Sequence, residues 1–226
     1  MQLSRIYKKT LNTNNNDYIR MIISLEYSYK MFIVDKIYET INDPDIAIRI
    51  ELVDFVVHVD ETDEKRPKFV DWKNYVYFNA INEYTKRFYS TEHENKCDHV
   101  IWVEGYPQDN SIYGEAHVGE VCGHDHNMYA SHVRHTKFGE LTISHEMGHN
   151  LGSNHDEARY CDSIEIKRVM WPSLIFNYRA HTFSKCSVKQ FVKMLLDPNT
   201  KMLKDEFKCL EKKNFERVQS FYRYLI

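Results

Sequence analysis

Long apolar runs are missing from this 226-residue chain, and so is an excess of either sign of charge. No segment approaches the roughly 20 consecutive apolar residues that a membrane-spanning helix requires, so no membrane span is expected. Lys and Arg number 30 against 33 Asp and Glu, a formal net charge of -3, and the basic residues are scattered rather than clustered. That leaves no footprint for a polyanionic partner and argues against nucleic acid. Met1 to Lys8 has no apolar core of a secretory signal. The expectation is therefore either a cytosolic chain or a mature form from which a signal, and a propeptide with it, has been removed. The 5 cysteines include no Cys-x-x-Cys pair, which argues against a thiolate metal site or a thioredoxin-like motif. Disulfides or buried thiols remain, and the odd count leaves at least one sulfur without an intrachain partner. No Asn-x-Ser/Thr acceptor occurs, so glycosylation offers no sign of secretion. Internal repeats and low-complexity tracts are also missing. The length suits one domain with a sizeable core, or at most two small subdomains around a cleft.

What is present is concentrated between residues 145 and 155: His145-Glu146-Met147-Gly148-His149-Asn150-Leu151-Gly152-Ser153-Asn154-His155. In a helix, His145 and His149 lie one turn apart on the same face, where both imidazoles reach one metal ion. Gly152 can take the positive φ that ends the helix and turns the chain, so that His155 returns as a third ligand. Three protein ligands leave a fourth position for water, the arrangement of a catalytic rather than a structural zinc, in which the metal lowers the pKa of its water from about 15.7 to about 7. Glu146, beside that face, is placed to accept the water's proton.

The rest of the chain reads as an α/β protein. Asn12 to Asn16 is a polar leader with order expected from Asp17. Ile19 to Leu25 suits a buried strand, and Lys30 to Ile41 is helical up to the stop at Asn42-Asp43-Pro44. Ile46 to Val59 has strand composition, Asp60 to Lys68 is a charged loop, and Trp72 to Tyr89 has the core face of a long helix. Strands are expected at His99 to Glu104 and Gly114 to Val121. The helix carrying the metal motif is expected over Phe138 to Leu151, with Ile143, Met147 and Leu151 facing the core. A further helix from Ser187 to Leu196 stops at Asp197-Pro198, and the tail beyond Cys209 is helical in part. His124, His126, His132 and His135 form a histidine-rich stretch, read as a polar loop, with a second metal site as the alternative; His117 on the Gly114 strand reads as a surface histidine or a substrate contact.

The extended His-Glu-x-x-His-x-x-Gly-x-x-His motif resembles that of the metzincin metalloproteases. Asp156, directly after it, resembles the adamalysin or reprolysin branch, which holds snake-venom metalloproteases and ADAM catalytic domains. The resemblance extends from Asp17-Tyr18-Ile19 to Cys209-Leu210, its specific parts being the zinc motif and the segment around Met170. It implies a metzincin catalytic domain with a mixed five-stranded sheet, long helices, a zinc cleft and a smaller irregular C-terminal subdomain. Residues 1–226 would be one catalytic domain, with 1–156 as the upper subdomain holding the zinc helix and 157–226 as the lower.

That resemblance assigns further roles. Met170, in Val169-Met170-Trp171-Pro172 fifteen residues past His155, matches the methionine turn beneath the zinc. Trp171, Pro172 and Ser173, with Leu174, would then form a wall of the pocket for the substrate side chain after the cut bond. Gly114, Glu115 and Ala116 resemble the edge strand that holds an extended substrate, since an exposed edge offers unpaired N–H and C=O groups to any peptide backbone; a plain solvent-facing strand is the alternative. Asp156 would orient the chain behind the site without binding metal. The implied disulfides are Cys122–Cys209 and Cys161–Cys186, closing loops of roughly 90 and 25 residues for about 3 to 4.5 kcal/mol each and implying an oxidising compartment. Cys97 stays unpaired, as a buried thiol or a link to a second chain; otherwise a monomer is expected. The family's calcium ligands correspond to Arg20, Asp98 and Lys212, and two cations among three positions exclude that ion, so no structural calcium is expected. The function implied is a zinc-dependent endopeptidase acting on extracellular protein or peptide substrates, with one catalytic zinc, in a secreted venom or salivary-type effector. Two alternatives stand beside it: a non-catalytic toxin or adhesion module that keeps the fold, and a cytosolic zinc hydrolase of unrelated fold.

Overall fold

The structure is a computed structural model that describes residues 15–52, 83, 99–104, 113–121, 130–134, 139–157, 161, 167–173 and 181–196. Helix α1 runs over Asn15–Glu39, so the strand expected at Ile19 to Leu25 is helix instead. No glycine or proline interrupts the sequence from residue 15 to residue 43, and Tyr27, Met31, Val34, Ile37 and Tyr38 recur at three- and four-residue steps as one buried face. A short apolar run has no period of its own, and here the helix extends through it. α1 ends where expected: Thr40 and Ile41 donate backbone hydrogen bonds to the carbonyls of Ile37 and Tyr38, and Asp43 accepts from the Asp45 N–H in an Asx turn at 3.0 Å.

Strands β1 (Val100–Glu104), β2 (Gly114–Glu115) and β3 (Ala130–Arg134) form a sheet of order β1-β3-β2. β1 and β3 are parallel, with Val100 opposite Ala130. β2 is antiparallel to β3, with Gly114 opposite Val133 and Glu115 opposite His132. Where a mixed sheet of five strands was expected, the described residues hold a mixed sheet of three, of which β1 and β2 match strands placed in the sequence. β3 corrects the reading of the histidine-rich stretch as a loop at His132; His124, His126 and His135 lie outside the described residues. The strand expected over Gly114 to Val121 ends at Glu115, because the chain then turns through Val118-Gly119, with φ 77° at Gly119, and straps the end of the following helix. Residues 46–52 form no strand. Residues 53–59, the helix expected at Trp72 to Tyr89 apart from the single residue Glu83, Cys97, Asp98, Cys122, Cys209 and Lys212 lie outside the described residues.

Helix α2 (Gly139–Asn150) and helix α3 (Lys185–Leu196) complete the described elements. α2 packs on α1 and on β3. Tyr38, fully buried, donates its hydroxyl to the Ser144 carbonyl of α2 at 3.1 Å. Its ring lies 4.8 Å from that of Phe183, which meets Phe191 of α3 edge-on at 5.0 Å. One apolar cluster thus joins α1, α2 and α3 beneath the sheet. Ser184 caps α3 by accepting the Ser187 N–H at 2.9 Å. The Cys161–Cys186 disulfide, with Cα atoms 5.7 Å apart, ties the first turn of α3 to the chain after His155. Among the described residues no helix is long and apolar enough to cross a membrane.

Asp35 fastens the segment after α1. It accepts from Arg49 through both oxygens, at 2.9 and 2.5 Å, and from the Ile50 N–H at 2.8 Å. Burial pushes its carboxyl up, but Arg49, the Ile50 N–H and the charge of Lys36 outweigh it and hold the carboxyl below the ordinary value. With the folded pKa depressed, the stabilisation is present above the unfolded pKa near 3.9 and is lost as pH falls through the folded value. Asp35→Asn should therefore lower stability by about 1–3 kcal/mol at neutral pH, a difference that vanishes as pH falls through the depressed folded value of the wild type. Chemical denaturation across that range checks it; a variant difference that does not change with pH contradicts it.

Gly148 sets a second constraint. A Cβ there would lie 2.5 Å from the Met170 sulfur and 3.4 Å from the Phe183 ring. Gly148→Ala gains about 1 kcal/mol of helix propensity and loses about 1–3 kcal/mol to overpacking, so a net loss and a lower unfolding midpoint are expected in a thermal melt. A midpoint at or above wild type would contradict the fit.

Candidate metal centre

α2 places His145 and His149 one turn apart, with ring centroids 4.7 Å apart and planes nearly perpendicular. The helix then ends in a Schellman motif: the Ser153 N–H donates to the Gly148 carbonyl at 3.0 Å and the Gly152 N–H to the His149 carbonyl at 2.8 Å. Gly152 sits at φ 97°, where any other residue is strained, and a Cβ there would meet the Met194 Cβ at 2.8 Å. The His149 carbonyl accepts a second bond, from the Gly119 N–H at 2.8 Å, and the Asn150 carbonyl accepts from the Val121 N–H at 3.0 Å. The segment after β2 thereby satisfies acceptors that a helix terminus leaves open. The reversal at Gly152 brings His155 back beneath the helix.

The three Nε2 atoms converge: His145 to His149 is 3.1 Å, His145 to His155 is 3.2 Å, and His149 to His155 is 3.2 Å. The opposite ring nitrogens are occupied. Nδ1 of His145 lies 2.7 Å from the Val169 carbonyl, and Nδ1 of His149 lies 2.7 Å from the Ser153 carbonyl. Because a carbonyl only accepts, each Nδ1 carries the proton and each Nε2 presents a lone pair. Burial, with the charges of His149 and His155 and against the Val169 bond, pushes the His145 pKa down to about 3. Burial likewise lowers His149 to about 4. Neutral imidazoles whose lone pairs meet at such a distance repel unless a cation lies between them. Nitrogens bound tetrahedrally at about 2.0–2.1 Å stand about 3.3–3.4 Å apart, so the trio fits one zinc ion without rearrangement. These residues form one of two groups of potential ligands among the described residues. The other, Asp156 with Cys161 and Cys186, has its sulfurs joined as the disulfide.

Glu146 follows His145 on the helix and is 5 % exposed. Burial, reinforced by the charge of Glu115, raises its pKa well above the ordinary carboxylate range. Above it lies β2: a Cβ on Gly114 would meet the Glu146 side chain. Below the trio, Met170 is fully buried in a turn whose Trp171 N–H donates to the Arg168 carbonyl at 3.0 Å. Asp156 is buried behind His155. Its N–H donates to the Met170 carbonyl at 2.8 Å, and its Oδ1 accepts from the hydroxyls of Ser184 and Ser187 at 2.6 and 2.8 Å. Trp171, half-buried, carries the Lys167 ammonium 4.9 Å from its ring centroid, whereas Pro172 and Ser173 are exposed just beyond the turn.

Of the residues singled out in the sequence, the structure brings together the three histidines, Glu146, Gly114, Met170 and Asp156. Glu115 reaches the site through its charge on Glu146, and Ala116 begins the strap over the helix end. The roles of the Val169 carbonyl, Gly148, Ser184, Ser187 and Gln190, which accepts from the Asn154 N–H at 3.0 Å, were missed. Only Ser184-x-x-Ser187 left a trace, as an N-cap spacing ahead of an apolar run.

A family profile described as Reprolysin (M12B) family zinc metalloprotease matches residues 31–206. The human disintegrin and metalloproteinase domain-containing protein 9 is 30% identical over 122 residues, 51% of this chain and 14% of that protein. The zinc metalloproteinase-disintegrin-like atragin of Naja atra is 32% identical over 101 residues, 44% of this chain and 16% of that protein. The chain thus matches less than a fifth of the length of either relative. With a profile that spans well over half of it, the chain belongs to the reprolysin (M12B) family of zinc metalloproteases.

Proposed function

We propose that this chain is a zinc-dependent endopeptidase, in which His145, His149 and His155 hold the metal and Glu146 is the general base. The convergence of three Nε2 atoms beside a buried carboxylate carries the reading. A zinc ion held there supplies a Lewis acid for the scissile carbonyl and an acidified water. Glu146 accepts the proton and passes it to the leaving amine. Its raised pKa suits the first role, because burial makes the carboxylate a stronger proton acceptor. The Val169 and Ser153 carbonyls fix the tautomer and tilt of two ligands, Met170 floors the site, and Asp156 holds the chain behind His155 against α3.

The substrate in this reading is an extended peptide lying along Gly114, Glu115 and Ala116, with Trp171, Pro172 and Ser173 walling the pocket beyond the cut bond. The chain acts as a single domain divided after Asp156, outside the cell, where the Cys161–Cys186 disulfide persists. A secreted effector belongs to the same reading. A Cys122–Cys209 bridge, an unpaired Cys97 and the lack of a structural calcium, from the cations at Arg20 and Lys212, belong to the same reading. The non-catalytic alternative would be favoured by a lost ligand or carboxylate, and all four side chains are in place.

Glu146→Gln should keep one zinc per chain and lower turnover by about 10²–10⁴-fold. Cleavage of a peptide library by wild type should stop on zinc chelation and return when zinc is restored. Undiminished proteolysis by the variant, or by the zinc-free protein, would overturn the assignment.

A further inference from the structure

Gly114 faces Glu146 at a distance that leaves no room for a side chain. A Cβ at this position would lie 2.6 Å from Oε1, 2.7 Å from Cγ and 2.8 Å from Cδ of Glu146, all closer than the 3.0 Å below which Cβ contacts essentially never occur. Backbone conformation does not account for the glycine. Positive φ among the described glycines is confined to Gly119 and Gly152, so Gly114 has a backbone that any residue adopts. Strand stability does not account for it either, since glycine weakens a strand and Gly114 sits within the ladder, opposite Val133. The missing Cβ instead frees the volume that three atoms of one carboxylate side chain occupy. Glu146 has little freedom to move away. It is buried, and its helix is pinned by the Tyr38 hydroxyl on Ser144 and by the strap on the His149 and Asn150 carbonyls.

We infer that Gly114 is a positioning residue for Glu146: the Cβ-free point on β2 sets where the carboxylate sits in the cleft, separately from any backbone contact this strand makes with a substrate. The inference rests on the reading of Glu146 as the base. A proton acceptor displaced by about 1 Å loses on the order of 10²-fold in rate, whereas a residue that only binds peptide backbone in the ground state changes KM.

The test uses zinc-loaded wild type, Gly114→Ala, Glu146→Ala and the double variant, assayed on one fluorogenic peptide chosen from the library that wild type cleaves. Zinc content and unfolding midpoint are measured on each. Gly114→Ala should hold one zinc, keep KM within about twofold and lose about 10²-fold in kcat. The double variant should be no slower than Glu146→Ala alone, because once the carboxylate is gone the Cβ has nothing left to displace. If Gly114→Ala fails to fold, the double variant should recover folding and zinc by the same logic. A Gly114→Ala kcat within twofold of wild type, an equal further loss in the double variant, or misfolding of both would overturn the inference. An inactive Glu146→Ala beside a fully active Gly114→Ala rejects this inference alone; wild-type turnover by Glu146→Ala overturns the base assignment and the inference with it.

Discussion

Three imidazoles turn their Nε2 atoms toward one point, and the surrounding structure is arranged to keep them there. Without a cation the contact is repulsive, so the fold has to oppose it. Two of the rings are held from behind by carbonyls, which makes each Nδ1 a donor and commits each Nε2 to the centre. One of those carbonyls belongs to Val169 in the turn that holds Met170 and the other to Ser153 in the helix-ending loop. Moving either segment would rotate a ligand, so turn, loop and helix act as a unit.

The supports of that unit come from far along the chain. Asp156, the residue after His155, is tied to the Met170 carbonyl and to Ser184 and Ser187 at the start of α3, while the disulfide fixes the same helix to Cys161. Three glycines sit where a Cβ would crowd a neighbour, in one case with a positive φ as well: Gly148 above Met170, Gly152 at the helix end and Gly114 against the carboxylate. Membership of the reprolysin family carries the α/β metzincin architecture, and the three described strands with α1 and α2 beneath them place β2 over the cleft.

The clustering of the three histidines was legible because its geometry is local. A four-residue step on a helix and a glycine three residues later generate the trio from spacing alone. Glu146 was legible for the same reason. α1 was not, since Ile19 to Leu25 has equal claim to a buried strand or a helix, and only continuity with the face from Tyr27 to Tyr38 decides. β3 was hidden because His132 looked like loop polarity, whereas pairing with Trp102 of β1 and Glu115 of β2 makes it strand. The roles of Gly148 and Gly114 depend on partners 22 and 32 residues away. No pattern within one segment reports such contacts.

The claim on which the rest depends is that the three Nε2 atoms hold one zinc ion. X-ray absorption at the zinc edge of the metal-loaded protein tests it most directly. The account predicts one zinc per chain in a shell of three imidazole nitrogens and one oxygen, with an imidazole lost in His155→Ala. A sulfur in the shell, or a wild-type shell of fewer than three imidazoles, would contradict it.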